Sequence, residues 1–259
     1  MRNKLTISLC LSLLLASCNN TPSENNDSLV DSITAVDSNI VANENIGNND
    51  INSSNTIDDA ILFPSTYRLD SDSELKELLA SKKWKEIYKK DGKYFIGNAL
   101  VELSTIEEDP CSGYPAQKIV SKQNGLILFD IPNIQDAAID TVALGDSMIQ
   151  PGKPFSFSFK GKKYRLEGSG ITFYGNNGSN PKGDYTLKLF SENDTKGKVI
   201  HYQDEYNDTS TQLIMITDLD NDGLPDFVLS SPGDYEEERF LIILSSTNKA
   251  YVGDRQFDC

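Results

Sequence analysis

The chain has 259 residues, with 24 basic and 39 acidic side chains and a formal net charge of −15. That acidity argues against binding nucleic-acid phosphates, which needs Lys and Arg clustered on one face. A single His excludes multi-His zinc sites and glutamate–histidine di-iron sets, and leaves one imidazole as a candidate base.

Arg2 and Lys4 open the chain with positive charge, and residues 5–15 form an apolar run. The run is too short to span a bilayer, which takes roughly 20 apolar residues. Small residues then precede Cys18, in Leu15-Ala16-Ser17-Cys18, as at the cleavage point of a secretory signal. An ordinary signal peptide is one reading of this stretch. The tetrapeptide also resembles the lipobox of bacterial lipoproteins. The resemblance implies cleavage before Cys18, a thioether diacylglycerol on its sulfur, and a further acyl chain on the new amino group. Several acyl chains anchor a protein stably, where one binds only marginally. The expected location is therefore the bacterial cell envelope, on the outer membrane, with the lipid bilayer as one partner.

Residues 19–60 hold eight acids, no base and no aromatic. Their scattered Ile and Val are too sparse to offset the entropy of ordering the chain, so the sequence predicts a disordered acidic tether. The expected organisation is a signal over 1–17, a lipidated tether over 18–60 and a β-rich globular domain over 61–259.

Within that domain the sequence predicts a short opening helix. Asp72 or Ser73 is placed to cap it, Glu74 suits its positive start, and Leu75, Leu78 and Leu79 share a face. A hairpin is expected next, with Asp91-Gly92 as the turn between residues 84–90 and 93–97. A longer helix ending at Gly92 is the alternative. Phe155, Phe157 and Phe159 alternate with polar residues, Gly161 offers a tight return, and Tyr164 and Leu166 continue the alternation on a partner strand. The three rings read as core. Residues 126–131, 185–190, 213–217, 227–230 and 240–244 also read as strands. The expected fold is mainly β: a single antiparallel sheet or sandwich-like domain with one short N-terminal helix.

Cys10 would leave with the signal and Cys18 would carry lipid, so Cys111 and Cys259 remain as candidates for a disulfide. Such a bridge closes a loop of about 148 residues and stabilises by roughly 4–5 kcal/mol in the loop-entropy model. Two free thiols, or a nucleophilic Cys111 served by His201, are the alternatives.

The motif richest in chemistry is Asp218-Leu219-Asp220-Asn221-Asp222-Gly223-Leu224-Pro225-Asp226. Ca²⁺ takes six to eight oxygens, and carboxylates at positions one, three and five can point inward from a tight loop. Gly223 suits the sharp turn, the Leu224 carbonyl is the natural ligand at position seven, and Asp226 at position nine is placed to close the shell. An EF-hand would carry Glu at position twelve, where Leu229 stands, and helices on both flanks, where the sequence is β-rich. The loop resembles the DxDxDGxxD calcium loop of FG-GAP and related integrin-like or VCBS-type repeats, matched at Asp218, Asp220, Asp222, Gly223 and Asp226. The resemblance implies a loop joining two strands and supports the Leu224 carbonyl as a ligand. The chain is also similar to lipoproteins of Bacteroidetes-type bacteria that carry a lone loop of this kind.

Gly145-Asp146-Ser147-Met148 resembles the nucleophile block of GDSL-type hydrolases, but Lys198 stands three residues before His201 where those enzymes carry Asp. His201 itself reads as a strand residue within 199–202. Asp234, Glu236, Glu237 and Glu238 read as a solvated acidic loop. Two function classes follow. One is a non-catalytic envelope lipoprotein whose Ca²⁺-stabilised β-domain does structural or binding work on an unidentified protein or glycan. The other is a calcium-stabilised hydrolase acting on glycan or peptide through carboxylates.

Overall fold

The computed structural model describes residues 56–257, except Asp146, Asn176 and Asn177. Cys10, Cys18, most of the expected tether and Cys259 lie outside the described residues. The described strands open with β1 (Thr56–Ile57), β2 (Ile61–Leu62) and β3 (Thr66–Arg68), followed by helix α1 (Glu74–Ser81). Next come β4 (Lys85–Lys90), β5 (Lys93–Asn98), β6 (Val101–Leu103), β7 (Glu107–Glu108), β8 (Pro115–Ser121), β9 (Gly125–Phe129) and β10 (Ala137–Ile139). The chain continues through β11 (Phe155–Phe159), β12 (Lys162–Gly175), β13 (Gly178–Ser191) and β14 (Lys198–Glu205). It finishes with β15 (Gln212–Thr217), β16 (Asp226–Ser230), β17 (Glu237–Leu244) and β18 (Lys249–Gln256). The expectation of a mainly β, antiparallel fold with one short helix holds among the described residues.

The layering follows from which strands alternate and which do not. In β16, β17 and β18 the apolar residues run on without a polar break, the pattern of a sheet buried on both faces. These strands, with β1 and β15, form a sheet in the order β1-β18-β17-β16-β15. One parity, including Phe227, Leu229, Leu241, Ile243 and Val252, packs against Phe157, Tyr164, Leu166 and Leu187 of the sheet β11-β12-β13-β14. The other parity, including Val228, Ile242, Leu244 and Tyr251, packs against Ile87, Ile96, Ile127 and Phe129 of the sheet β10-β5-β4-β9-β2. Beyond that layer, Leu62, Trp84 and Leu128 meet Leu75 of α1 and Ile119 of the small sheet β3-β8-β6. The fold is thus a sandwich repeated, with the β16-centred sheet as its dry middle layer.

Both expected hairpins are present. Asp91 and Gly92 take φ of +50° and +80° between β4 and β5, the left-handed pair a two-residue hairpin turn requires. That geometry rules out the longer helix. Phe157 lies opposite Tyr164, and Phe157 and Phe159 are buried with Phe155 half-buried, so the aromatic stripe is core. Ser73 precedes α1 without a side-chain capping bond, and Glu74 instead accepts the Asp70 amide at 2.8 Å.

Among the described residues, strand pairing already occurs before residue 61. Thr56 and Ile57 pair in parallel with Ala250 and Tyr251, Ala60 donates its amide to the Val252 carbonyl at 2.9 Å, and its methyl is buried. Composition foretold no strand there because this pairing is backbone only. Ser147 accepts the Leu213 amide and Met148 bridges to Gln212, so this segment covers the outer edge of β15.

Candidate metal centre

The acidic loop is the connection between β15 and β16, closed at its base by the Thr217–Asp226 pair. Its side chains sort by position. Leu219 is buried with Met215 and Val228, anchoring the loop in the core. Asn221 and Gly223 adopt φ of +60° and +87° and reverse the chain. Nothing lies within 4 Å of where a Gly223 Cβ would stand, so the glycine answers to its left-handed φ rather than to a crowded neighbour.

The remaining odd positions converge. Asp218, Asp220 and Asp222 each present a carboxylate oxygen within 4.8 Å of the other two, an arrangement that could hold a metal ion. Backbone amides fix their orientation. The Asp222 amide donates to Asp218 Oδ1 at 3.0 Å and to Asp220 Oδ1 at 3.2 Å. The Gly223 amide donates to Asp218 Oδ2 at 3.0 Å, and the half-buried Leu224 donates its amide to Asp222 Oδ1 at 2.7 Å. Partial desolvation raises the pKa of the exposed Asp222 from its ordinary value, with Asp220 and Asp218 adding like-charge repulsion.

Asp226 is placed differently. It is fully buried, and its two oxygens accept the Leu219 and Ser245 amides, each at 2.8 Å. It is not among the mutually close carboxylates. Burial pushes its pKa up to about 7 against the lowering effect of those two amides, and Asp220 and Asp222 push it further. Asp226 therefore straps the loop to the β17–β18 turn, a role that the spacing alone did not reveal. Each oxygen keeps a second lone pair.

Two further partners come from distant sequence. Lys160, at the β11–β12 turn, bonds to Asp218 Oδ2, and that bond is the first cause of its raised pKa. Ser246 Oγ donates to Asp220 Oδ2 at 2.6 Å. They stand 58 and 26 residues away along the chain, and no local pattern marks them.

A second polar cluster is buried at the other end of the same hairpin. His201 Nε2 lies 2.8 Å from Ser231 Oγ and 3.3 Å from Thr211 Oγ1. Thr211 in turn lies 2.6 Å from Ser231 and 2.5 Å from Tyr206 Oη. Burial drives the His201 pKa down to about 3, helped by the Arg239 charge. His201 is a strand residue, as its setting predicts. It pairs with a hydroxyl network rather than with Cys111, which lies in the Asp109–Tyr114 turn, where Asp109 Oδ1 accepts the Cys111 amide. Among the described residues no helix is long and apolar enough to cross a membrane. Comparison with known proteins finds no matching family model, no similar curated protein and no similar solved structure.

Proposed function

We propose that the chain is a lipid-anchored protein of the bacterial cell envelope whose β-domain is rigidified by one Ca²⁺, and that it does structural or binding work. The observation that carries this reading is the convergence of Asp218, Asp220 and Asp222 on one small volume. Three carboxylates so close repel one another, and a bound cation relieves that repulsion on folding. The Leu224 carbonyl and the free lone pairs of Asp226 complete the proposed shell. Ca²⁺ suits a flexible, oxygen-rich loop better than Mg²⁺, which keeps its waters and demands a small rigid octahedron. Calorimetric titration tests this directly: one Ca²⁺ per chain is expected, with heat lost in Asp220→Ala. No heat from the native chain would end the proposal.

The anchor rests on Leu15 to Cys18. Cys18→Ser should move the protein out of the membrane fraction, and an unchanged fraction would contradict the anchor. The Cys111–Cys259 bridge is proposed in the same terms. Cys111 does not stand as a free thiol, and a two-dalton mass gain on reduction is expected. A carboxylate hydrolase gains no separate support, because among the described residues the carboxyl groups with raised pKa, Asp222 and Asp226, both belong to the loop.

A further inference from the structure

The acidity of the chain is unevenly spread. Residues 153–198 carry nine Lys or Arg against four Asp or Glu, within a protein of net charge −15. That interval builds β11, β12 and β13. Alternation sends Phe157, Phe159, Tyr164 and Leu166 into the core, so Ser156, Ser158, Lys163 and Arg165 face outward. The register places Ser156 opposite Arg165 and Ser158 opposite Lys163. Two hydroxyl–cation pairs therefore repeat about 7 Å apart along the strands.

The arginine of this array is held in place. Its guanidinium carbon lies 4.4 Å from the centroid of the Phe190 ring, opposite it on β13, and Nη1 pairs with Glu167 Oε1 at 3.1 Å. Gly197 leaves room for that ring, since a Cβ there would fall 2.6 Å from it. A stacked guanidinium tied at one edge presents its remaining donors in a fixed fork, the geometry that recognises an oxyanion by two hydrogen bonds. Lys163 is exposed and makes no ion pair among the described residues. These side chains line a cleft of about 530 Å³ together with Ser191 and Asn193. Of the two acids on its rim, Asp194 turns Oδ1 to the amides of Lys196 and Gly197, at 2.9 and 3.1 Å, and Glu192 is exposed.

We propose that this cleft binds an acidic oligosaccharide, with Arg165 and Lys163 each taking a carboxylate or sulfate and Ser156, Ser158 and Asn193 meeting sugar hydroxyls. The cleft contains none of the exposed large apolar side chains that a bilayer would take up, which favours a glycan over a lipid surface. Phe190 is already covered by Arg165, which leaves no bare ring for a nucleic-acid base to stack on. The lining of this cleft includes no residue of the 218–226 loop, and the contacts named need no metal ion.

Binding of the purified full chain to heparin, polygalacturonate, neutral dextran, phosphatidylglycerol vesicles and a single-stranded DNA oligomer, at physiological ionic strength, tests the proposal. Expected is binding to heparin or polygalacturonate and none to dextran. Arg165→Gln and Lys163→Gln should each weaken it about tenfold, the value of a charge-assisted hydrogen bond. Arg165→Lys should weaken it several-fold despite keeping the charge, and Lys93→Gln, exposed on another sheet, should leave it unchanged. Because Lys163 is exposed, its variant tests the cleft even if Arg165→Gln disturbs the fold. The proposal is overturned by no glycan binding, by tighter binding to vesicles or DNA, or by an equal loss in Lys93→Gln.

Discussion

The β15–β16 hairpin carries a polar cluster at each end, and the two satisfy their groups by opposite means. At the Ser231 end, His201, Thr211, Ser231 and Tyr206 are neutral, buried and bonded to one another. At the Asp226 end, three carboxylates gather at the surface and depend on Lys160, Ser246 and backbone amides to offset like charge. A five-residue strand, about 17 Å long, separates them. The neutral cluster is complete as it stands, whereas the acidic one is electrostatically unfinished. Rigidity at one end is thus intrinsic, and at the other the proposed cation would supply it.

The largest expected difference between the two ends is in their response to pH. His201 has a folded pKa near 3, below its unfolded value of 6.5, so its stabilising contribution is full above pH 6.5 and is lost as the pH falls toward 3. The slope is at most about 1.4 kcal/mol per pH unit. Asp226 has a folded pKa near 7, above its unfolded value, so its contribution is full below about pH 4 and is lost as the pH rises through 7. In chelator the two slopes oppose each other between about pH 4 and 6.5 and flatten the stability profile. In saturating calcium Asp226 is held ionised, and the His201 slope should emerge. Urea unfolding across pH, with and without calcium, checks this. Identical profiles in the two conditions would break the comparison.

Next in size is Asp226→Ala. It strands the buried Leu219 amide and the half-buried Ser245 amide, at a cost of about 3 kcal/mol even in chelator. If Asp226 acted only as an ion ligand, the variant would be neutral without calcium. Denaturant melts in chelator separate the two. Smaller still is Gly223→Ala, where φ is +87° but no neighbour crowds the new methyl. Its expected cost is about 1 kcal/mol, the strain of a left-handed residue alone. A loss of several kcal/mol would mean that the loop packs more tightly than its geometry indicates.

Local chemistry made much of this legible. Asp91-Gly92 marks the β4–β5 turn because few other dipeptides accept two left-handed residues in succession. The alternation from Phe155 to Leu166 gives β11 and β12 in register. The spacing of Asp218, Asp220 and Asp222 gives a loop whose carboxylates do converge. What escaped is non-local. β18 contains Gly253, which reads as a breaker; it is there because the Ile61 carbonyl would lie 2.1 Å from any Cβ. β13 runs on past the expected 185–190 through Gly178, Pro181 and Gly183, residues that signal a loop, because register shifts against β12 absorb them. Asp226 was legible as part of the motif but not as a buried strap, since its amide partners belong to the loop's start and to the distant Ser245. The cation array of β12 could be read as alternation, but the ring beneath Arg165 comes from the next strand.

Thermal unfolding of the full chain in excess calcium and in excess chelator, with Asp220→Ala alongside, tests the central claim most directly. At a calcium concentration of about 100 times Kd the stabilisation is about 2.7 kcal/mol. For a domain of this size that is a rise in Tm of roughly 5–10 °C. This rise is expected for the native chain and none for Asp220→Ala, which in chelator should melt within about 2 °C of the native chain because it removes one of three mutually repelling charges. Superimposable native melts in calcium and chelator would contradict it.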